Sequence, residues 1–354
     1  MVTYGVVMGI TVIMYIFLSS FFNMEKTTRG TVTVFFVLYI ALLCLRDITV
    51  GVDTKHYVSR YFDQLCDMRW DSALQHMDAE KGFLILTKLI GYIGGERLFI
   101  AFFAVISVYP VLYLYRNETK DALLCCSFFL ISLLFEIFFS GMRQGVAIGL
   151  AVPAFYFTKR KKLIPFIAMV ALAMCFHTTG IVIALIYPIY HANITRKWLW
   201  FVVPGMVLIY LRRSAIFMYM LQKAGGYYLE NYGYLTTESS GQTGLMILFV
   251  LISIYTFIML DEKKATKEDV GVRNILLLAT AIQLLTPVHP VISRLNYYFI
   301  LFIPIAIGRV NEKCKPIFWQ ISKVASPIMS IFFIFYFFAM KDDSLQVFNY
   351  QFFF

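Results

Sequence analysis

Residues 3–22 read TYGVVMGITVIMYIFLSSFF, a stretch of 20 residues without one charge. At 1.5 Å rise per residue this is a helix of roughly 30 Å, the thickness of a bilayer's hydrocarbon core. Runs of the same character recur outward from it, at Gly244–Leu260 and again at Ile317–Met340. Over the 354 residues, 60% are hydrophobic and 15% charged, where soluble domains carry roughly 25% charged residues. A water-soluble core of this size has no use for so many apolar runs. A membrane β-barrel would alternate polar and apolar residues in segments of about ten. These runs are continuous, so the sequence predicts an all-α, polytopic integral membrane protein.

Apolar runs at about 3–22, 31–45, 98–115, 122–140, 145–158, 163–176, 181–194, 198–211, 244–260, 274–286, 295–308 and 317–340 predict about 12 transmembrane helices in a single polytopic domain over 1–354. The shorter run 83–93 is too brief for an ordinary span and reads as a re-entrant or interfacial helix. Two larger loops, about 46–97 and 212–243, are expected outside. The first span lacks a basic leader and a cleavage site, and is expected to stay as an anchor. The formal charge of +10 sits in short clusters between apolar runs, as at Lys159-Arg160-Lys161-Lys162. That is the pattern of cytoplasmic loops, and it argues against nucleic acid as a partner. The six cysteines form no CxxC pair, so they read as small buried hydrophobes rather than as a zinc site or a disulfide framework.

If spans alternate, the basic loops place Arg143, His177 and Arg294 on the outer side. The segment 163–194 then crosses twice, with arms of about 14 residues, roughly 21 Å each. Its apex, His177-Thr178-Thr179-Gly180, would lie below the outer membrane surface. Polar backbone is tolerated at that depth only inside protein or along a wet cavity.

Four places set ionisable groups against apolar helices: RDITVGVDTKHY at 46–57, GMRQG at 141–145, FHTTG at 176–180 and PVHPVISRLNYYF at 287–299. Each residue has a purely structural reading. Arg143 and Arg294 could snorkel to the interface, Asp53 could form a turn, and His177 could bond carbonyls within a packed hairpin. The functional reading starts from the arginines, whose planar, always-charged fork matches phosphate oxygens. Arg143 and Arg294, with Arg46 as a weaker third cation, suit a lipid-linked pyrophosphate. Asp53 and His177 are the candidate proton acceptors beside it. No DxD pair and no glycine-rich phosphate loop stands near, so neither a nucleotide, a metal nor another cofactor is expected.

These same residues give the chain a resemblance to the EpsG family, the Wzy-like polymerases of bacterial exopolysaccharide and capsule. The likeness comprises two opening spans and then Arg46, Gly51, Asp53, Thr54 and Tyr57 in the order R-x4-G-x-D-T-x2-Y. EKGF at 80–83, MRQ at 142–144, FH at 176–177 and R-x-N-x-Y-F at 294–299 follow. The resemblance implies a glycosyltransferase of the bacterial cytoplasmic membrane that works on its outer side. The donor would be a glycan on undecaprenyl pyrophosphate and the acceptor a flipped lipid-linked repeat unit. Arg143, Arg294 and Arg46 would meet the pyrophosphate, and Asp53 or His177 would deprotonate or orient the acceptor hydroxyl. Glu80, Gln144 and Tyr57 would bind sugar. Membrane lipid, a flippase and a chain-length regulator are the implied partners. Two rival readings are a transporter or flippase of lipid-linked glycan, which would show internal repeats and cations along a path, and a membrane O-acyltransferase built on His177.

Overall fold

The computed structural model describes residues 1–224 and 240–354, and among them every named element is helical. The opening run forms α1, Val2–Phe21, and α2, Met24–Leu45, follows it, its N-terminus capped by the Asn23 side chain accepting from the Lys26 amide at 3.0 Å. The short apolar run becomes α3, Lys81–Ile93, whose 13 residues reach only roughly 20 Å. Then come α4, Glu96–Glu118, α5, Ala122–Ile131, α6, Leu133–Ser140, α7, Met142–Lys159, and α8, Leu163–Met174. A 3-10 turn spans Thr178–Leu185. Beyond it lie α9, Ile186–His191, α10, Leu199–Leu211, α11, Arg213–Ala224, and α12, Ser240–Met259. The chain continues through α13, Lys267–Gln283, α14, Ser293–Ile300, α15, Ile303–Glu312, and α16, Trp319–Met340. Residues 225–239, the middle of the outer loop expected over 212–243, lie outside the described residues.

Five helices are long and apolar enough to cross a bilayer, or seven if each of two bent pairs counts as one span. The count of about twelve is therefore not confirmed, although the all-helical membrane architecture is. The shortfall has a local cause. Several apolar runs are realised as short or broken pieces: α8 holds 12 residues, and the run 122–140 is bent by 60° between α5 and α6.

The helices group into two compact units, residues 1–184 with 323–354, and residues 185–322. In the first, α2 packs on α1 and α4, and α7 packs on α4 and α8. Small residues make the α4–α7 approach close: a Cβ on Gly149 would stand 2.8 Å from the Ser107 carbonyl oxygen, and one on Gly145 would stand 3.1 Å from the Ser107 hydroxyl. Their four-residue spacing is the usual device by which membrane helices bring their backbones together. The bend at Ser132 would strand helix-terminal carbonyls in a low-dielectric interior. Lys341 answers it, its ammonium bonding the carbonyls of Leu130 at 2.9 Å and Ser132 at 3.0 Å and the Glu136 carboxylate at 2.8 Å. Lys341→Met should leave Glu136 buried and unpaired, lowering stability by about 3–5 kcal/mol. Adding Glu136→Gln should recover part of that loss in a detergent melting curve. Equal melting of wild type and Lys341→Met would remove the bend's dependence on this pair.

In the second unit the basic loops close helix ends. Arg196 donates to the carbonyls of Phe257 at 2.9 Å and Leu260 at 2.7 Å, at the C-terminus of α12, where a cation complements the helix dipole. The Thr266 side chain and Asp269 form a capping box at the start of α13, and Arg309 pairs with Asp269 at 3.1 Å. The six cysteines are free; Cys125, Cys126 and Cys314 are buried, whereas Cys175 is exposed.

Candidate active site

The first unit gathers most of the expected site around one feature, the break at Gly141 between α6 and α7. The last carbonyls of α6 have no partner within the helix, and the 46–57 segment supplies them. Arg46 donates from Nη1 to the Phe138 carbonyl at 3.5 Å, and the Thr54 hydroxyl donates to the Phe139 carbonyl at 2.9 Å. Ser140 donates to the Asp53 carboxylate at 3.1 Å and accepts from the Asp53 amide at 3.2 Å. Gly51, at φ +90°, turns the chain so tightly over this end that an added Cβ would lie 2.6 Å from the Phe139 oxygen. The R-x4-G-x-D-T pattern is thus a cap for α6 that also places Asp53. Asp47, at the start of this turn, has its carboxyl held low by the amide and hydroxyl of Thr49.

Arg46 itself is 1% exposed. Its guanidinium lies 5.5 Å from the Phe139 ring centre, and Nε has no hydrogen-bond partner among the described residues. Burial pushes its ionisation down to about 10, so it stays cationic at neutral pH.

Arg143, in the first turn of α7, meets a wall of side chains from residues 57–83. Its Nη1 pairs with Glu80 Oε2 at 2.7 Å, and Nε points at the Tyr57 hydroxyl at 3.4 Å. The rings of Tyr57, Tyr61 and Phe83 surround the guanidinium at 5.9, 5.5 and 6.0 Å, an attractive setting for a cation. Burial raises the Tyr57 phenol, against the pull of Arg143, so the hydroxyl keeps its proton. Gln144, the next residue, is buried.

Glu80 joins this wall to the FHTTG turn. Its other oxygen, Oε1, accepts from the Thr178 amide at 3.1 Å. Gly82 lets the two segments meet: its amide donates to the Cys175 carbonyl at 2.9 Å, and a Cβ there would lie 2.6 Å from that oxygen. His177 Nδ1 accepts from the Thr179 amide at 3.3 Å and contacts the Thr179 hydroxyl at 2.7 Å. An acceptor Nδ1 fixes the tautomer with the proton on Nε2, so the ring is set to donate from that edge.

Arg294 belongs to the second unit, where it is exposed at the start of α14. The motif around it is held by a buried amide network. Asn296 donates to the Ala279 carbonyl at 3.0 Å and to Gln283 at 2.9 Å, and Gln283 donates to Thr286 at 2.7 Å and Gln242 at 3.3 Å. His289, within the same motif, stacks on Phe217 with ring centres 5.5 Å apart. Burial, and then the Arg294 charge, push its imidazole below the usual value and favour the neutral form.

Sequence reasoning singled out the charged members of these clusters and quoted Asn296 within its motif, but passed over Ser140, the Thr178 amide and Gln283. A serine directly before GMRQG and a glutamine within an apolar run were the available signals. Among the described residues no three His, Cys, Asp or Glu side chains stand together to hold a metal ion.

The sequence model of the EpsG family matches residues 30–352. Neither the curated proteins nor the solved structures give a significant match.

Proposed function

The chain belongs to the EpsG family, a Wzy-like polymerase family, and from that premise we propose that it polymerises undecaprenyl-pyrophosphate-linked repeat units into exopolysaccharide or capsule. The observation that carries the reading is the Arg143 guanidinium, ringed by aromatic side chains and set with two carboxylate-bearing segments around one helix break. A fixed cation with donors to spare suits a leaving pyrophosphate, on which charge grows as the glycosidic bond breaks. Tyrosine and phenylalanine faces suit sugar rings.

In this reading the non-reducing-end hydroxyl of the acceptor attacks the anomeric carbon of the donor glycan. The new C–O bond forms, the bond to pyrophosphate breaks, and undecaprenyl pyrophosphate leaves with the electron pair. Arg143 binds that pyrophosphate, and Arg294 is assigned the same chemistry from its motif. Asp53 takes the hydroxyl's proton, or His177 orients the reacting glycan. Asp53 is held ready by Ser140, while the tautomer of His177 suits it to donate from Nε2 to the glycan. Glu80, Gln144 and Tyr57 line the sugar side. Arg46, sealed against Phe138 and Phe139, is assigned the capping of α6 in place of a direct contact with the pyrophosphate. The reaction takes place on the outer face of the cytoplasmic membrane, with a flippase upstream and a chain-length regulator acting on the product.

Deleting the gene tests this. Cells should keep single lipid-linked repeat units, reactive to an impermeant reagent added outside, and should lose long polymer. Long polymer of unchanged length would overturn the polymerase reading, and repeat units confined to the inner leaflet would make the protein a flippase.

A further inference from the structure

Glu80 already occupies the place that a phosphate would take. Its two carboxylate oxygens are both engaged, one by Arg143 at 2.7 Å and the other by the Thr178 amide at 3.1 Å. An anion arriving at Arg143 meets an anion already bound there. One member of the pair must yield, and the surroundings decide which.

Arg143 is anchored. It starts an 18-residue helix whose Gly145 and Gly149 lie against α4, and three rings wall its guanidinium. Glu80 is hinged. It sits just outside α3 in extended backbone, φ −63° and ψ 136°, and its side chain makes no hydrogen bond to cap that helix. The guanidinium can still be reached from the surface, the Arg143 side chain being 24% and the Glu80 side chain 14% exposed. A pyrophosphate offers several charged oxygens in the geometry a guanidinium fork matches, and so outcompetes one carboxylate oxygen. When Glu80 leaves, the Thr178 amide is released with it and gives the arriving anion a second donor.

We propose that Glu80 is a displaceable counter-ion. It holds the empty site neutral and closed, the donor's pyrophosphate displaces it from Arg143, and the freed carboxylate then accepts the hydrogen of an acceptor-sugar hydroxyl. Donor binding therefore precedes productive acceptor binding. The exchange moves no covalent bond: Arg143 trades a carboxylate for a phosphate, and Glu80 trades a guanidinium for a hydroxyl. The inference rests on Arg143 being the pyrophosphate cation.

The test uses the purified full-length protein in nanodiscs, titrated with farnesyl pyrophosphate as a soluble polyprenyl pyrophosphate. Transfer from a lipid-linked donor to an acceptor is measured in parallel. Glu80→Gln keeps the size of the side chain and one oxygen for Thr178 but removes the competing charge. It should bind farnesyl pyrophosphate at least tenfold more tightly and transfer at least tenfold more slowly. Glu80→Asp, which shortens the reach to Arg143, should shift binding the same way to a smaller extent. Arg143→Gln should weaken binding at least tenfold. Unchanged or weaker binding by both Glu80 variants, while Arg143→Gln still loses affinity, would overturn the counter-ion and leave the polymerase site standing. Tighter binding with undiminished transfer would overturn the second role of the freed carboxylate. Unchanged affinity in Arg143→Gln would instead bring down the placement of the pyrophosphate itself.

Discussion

Arg143→Lys is expected to abolish most polymerisation while the protein stays in the membrane at its normal level. The guanidinium has five N–H donors in a rigid plane. In the empty site two of them serve Glu80 and Tyr57; once pyrophosphate has displaced Glu80, the fork can hold two phosphate oxygens while Nε keeps the phenol. A lysine ammonium at the same place is a point charge, and it cannot engage the phenol and a bidentate phosphate at once. Removing one such donor from a developing anion costs about 2.7–4 kcal/mol, which is on the order of a hundredfold to a thousandfold in rate. A snorkelling arginine behaves differently, because it needs only a long cationic chain. Arg294→Lys should show the same loss, whereas Arg212→Lys, exposed at the end of α10, should be tolerated. Polymer length on a gel, with membrane abundance measured beside it, decides the matter. Wild-type chains from both lysine variants would make the arginines anchors and remove the site assignment, leaving family membership untouched.

The helical membrane architecture was legible because hydrophobic burial in a bilayer leaves a long-range compositional mark. The residues of the first unit's cluster were legible for a related reason: a charge or a histidine against apolar helices is costly and therefore stands out. Their division of labour was not legible. Arg46 and Arg143 look alike in a sequence, each an arginine at the end of an apolar run. Packing makes one a sealed cap on α6 and the other a partly buried cation among three aromatic rings. Nor does periodicity reveal the bend at Ser132, since the run 122–140 is apolar apart from Glu136 and three serines, and Lys341, which satisfies the bend, lies about 200 residues away. The number of spans fails for the same reason. Apolarity counts runs, whereas length and bending are set by which distant side chain satisfies the freed carbonyls.

Gly51→Ala should be the most damaging single-methyl change in the first unit. At φ +90° an L-residue pays roughly 1–3 kcal/mol in backbone strain. The added carbon would also lie 2.6 Å from the Phe139 oxygen and 3.0 Å from the Thr54 hydroxyl. Neither neighbour gives way cheaply. The first is backbone at the end of α6, and the second is itself bonded to the carbonyls of Val50 and Phe139. The turn must therefore lift, and lifting it separates Thr54 from Phe139 and Asp53 from Ser140. One methyl group thus uncaps a buried helix and moves a candidate proton acceptor together. Stability should fall by about 2–4 kcal/mol, combining the strain with a lost buried hydrogen bond, and polymer should disappear even in the fraction that stays folded. Gly9→Ala, in α1 with no atom within 4 Å of the new carbon, is the matched control and should melt like the wild type. Melting curves in detergent and polymer length separate the two effects. A Gly51→Ala protein that melts and polymerises normally would show that the turn over α6 is free to move and does not place Asp53.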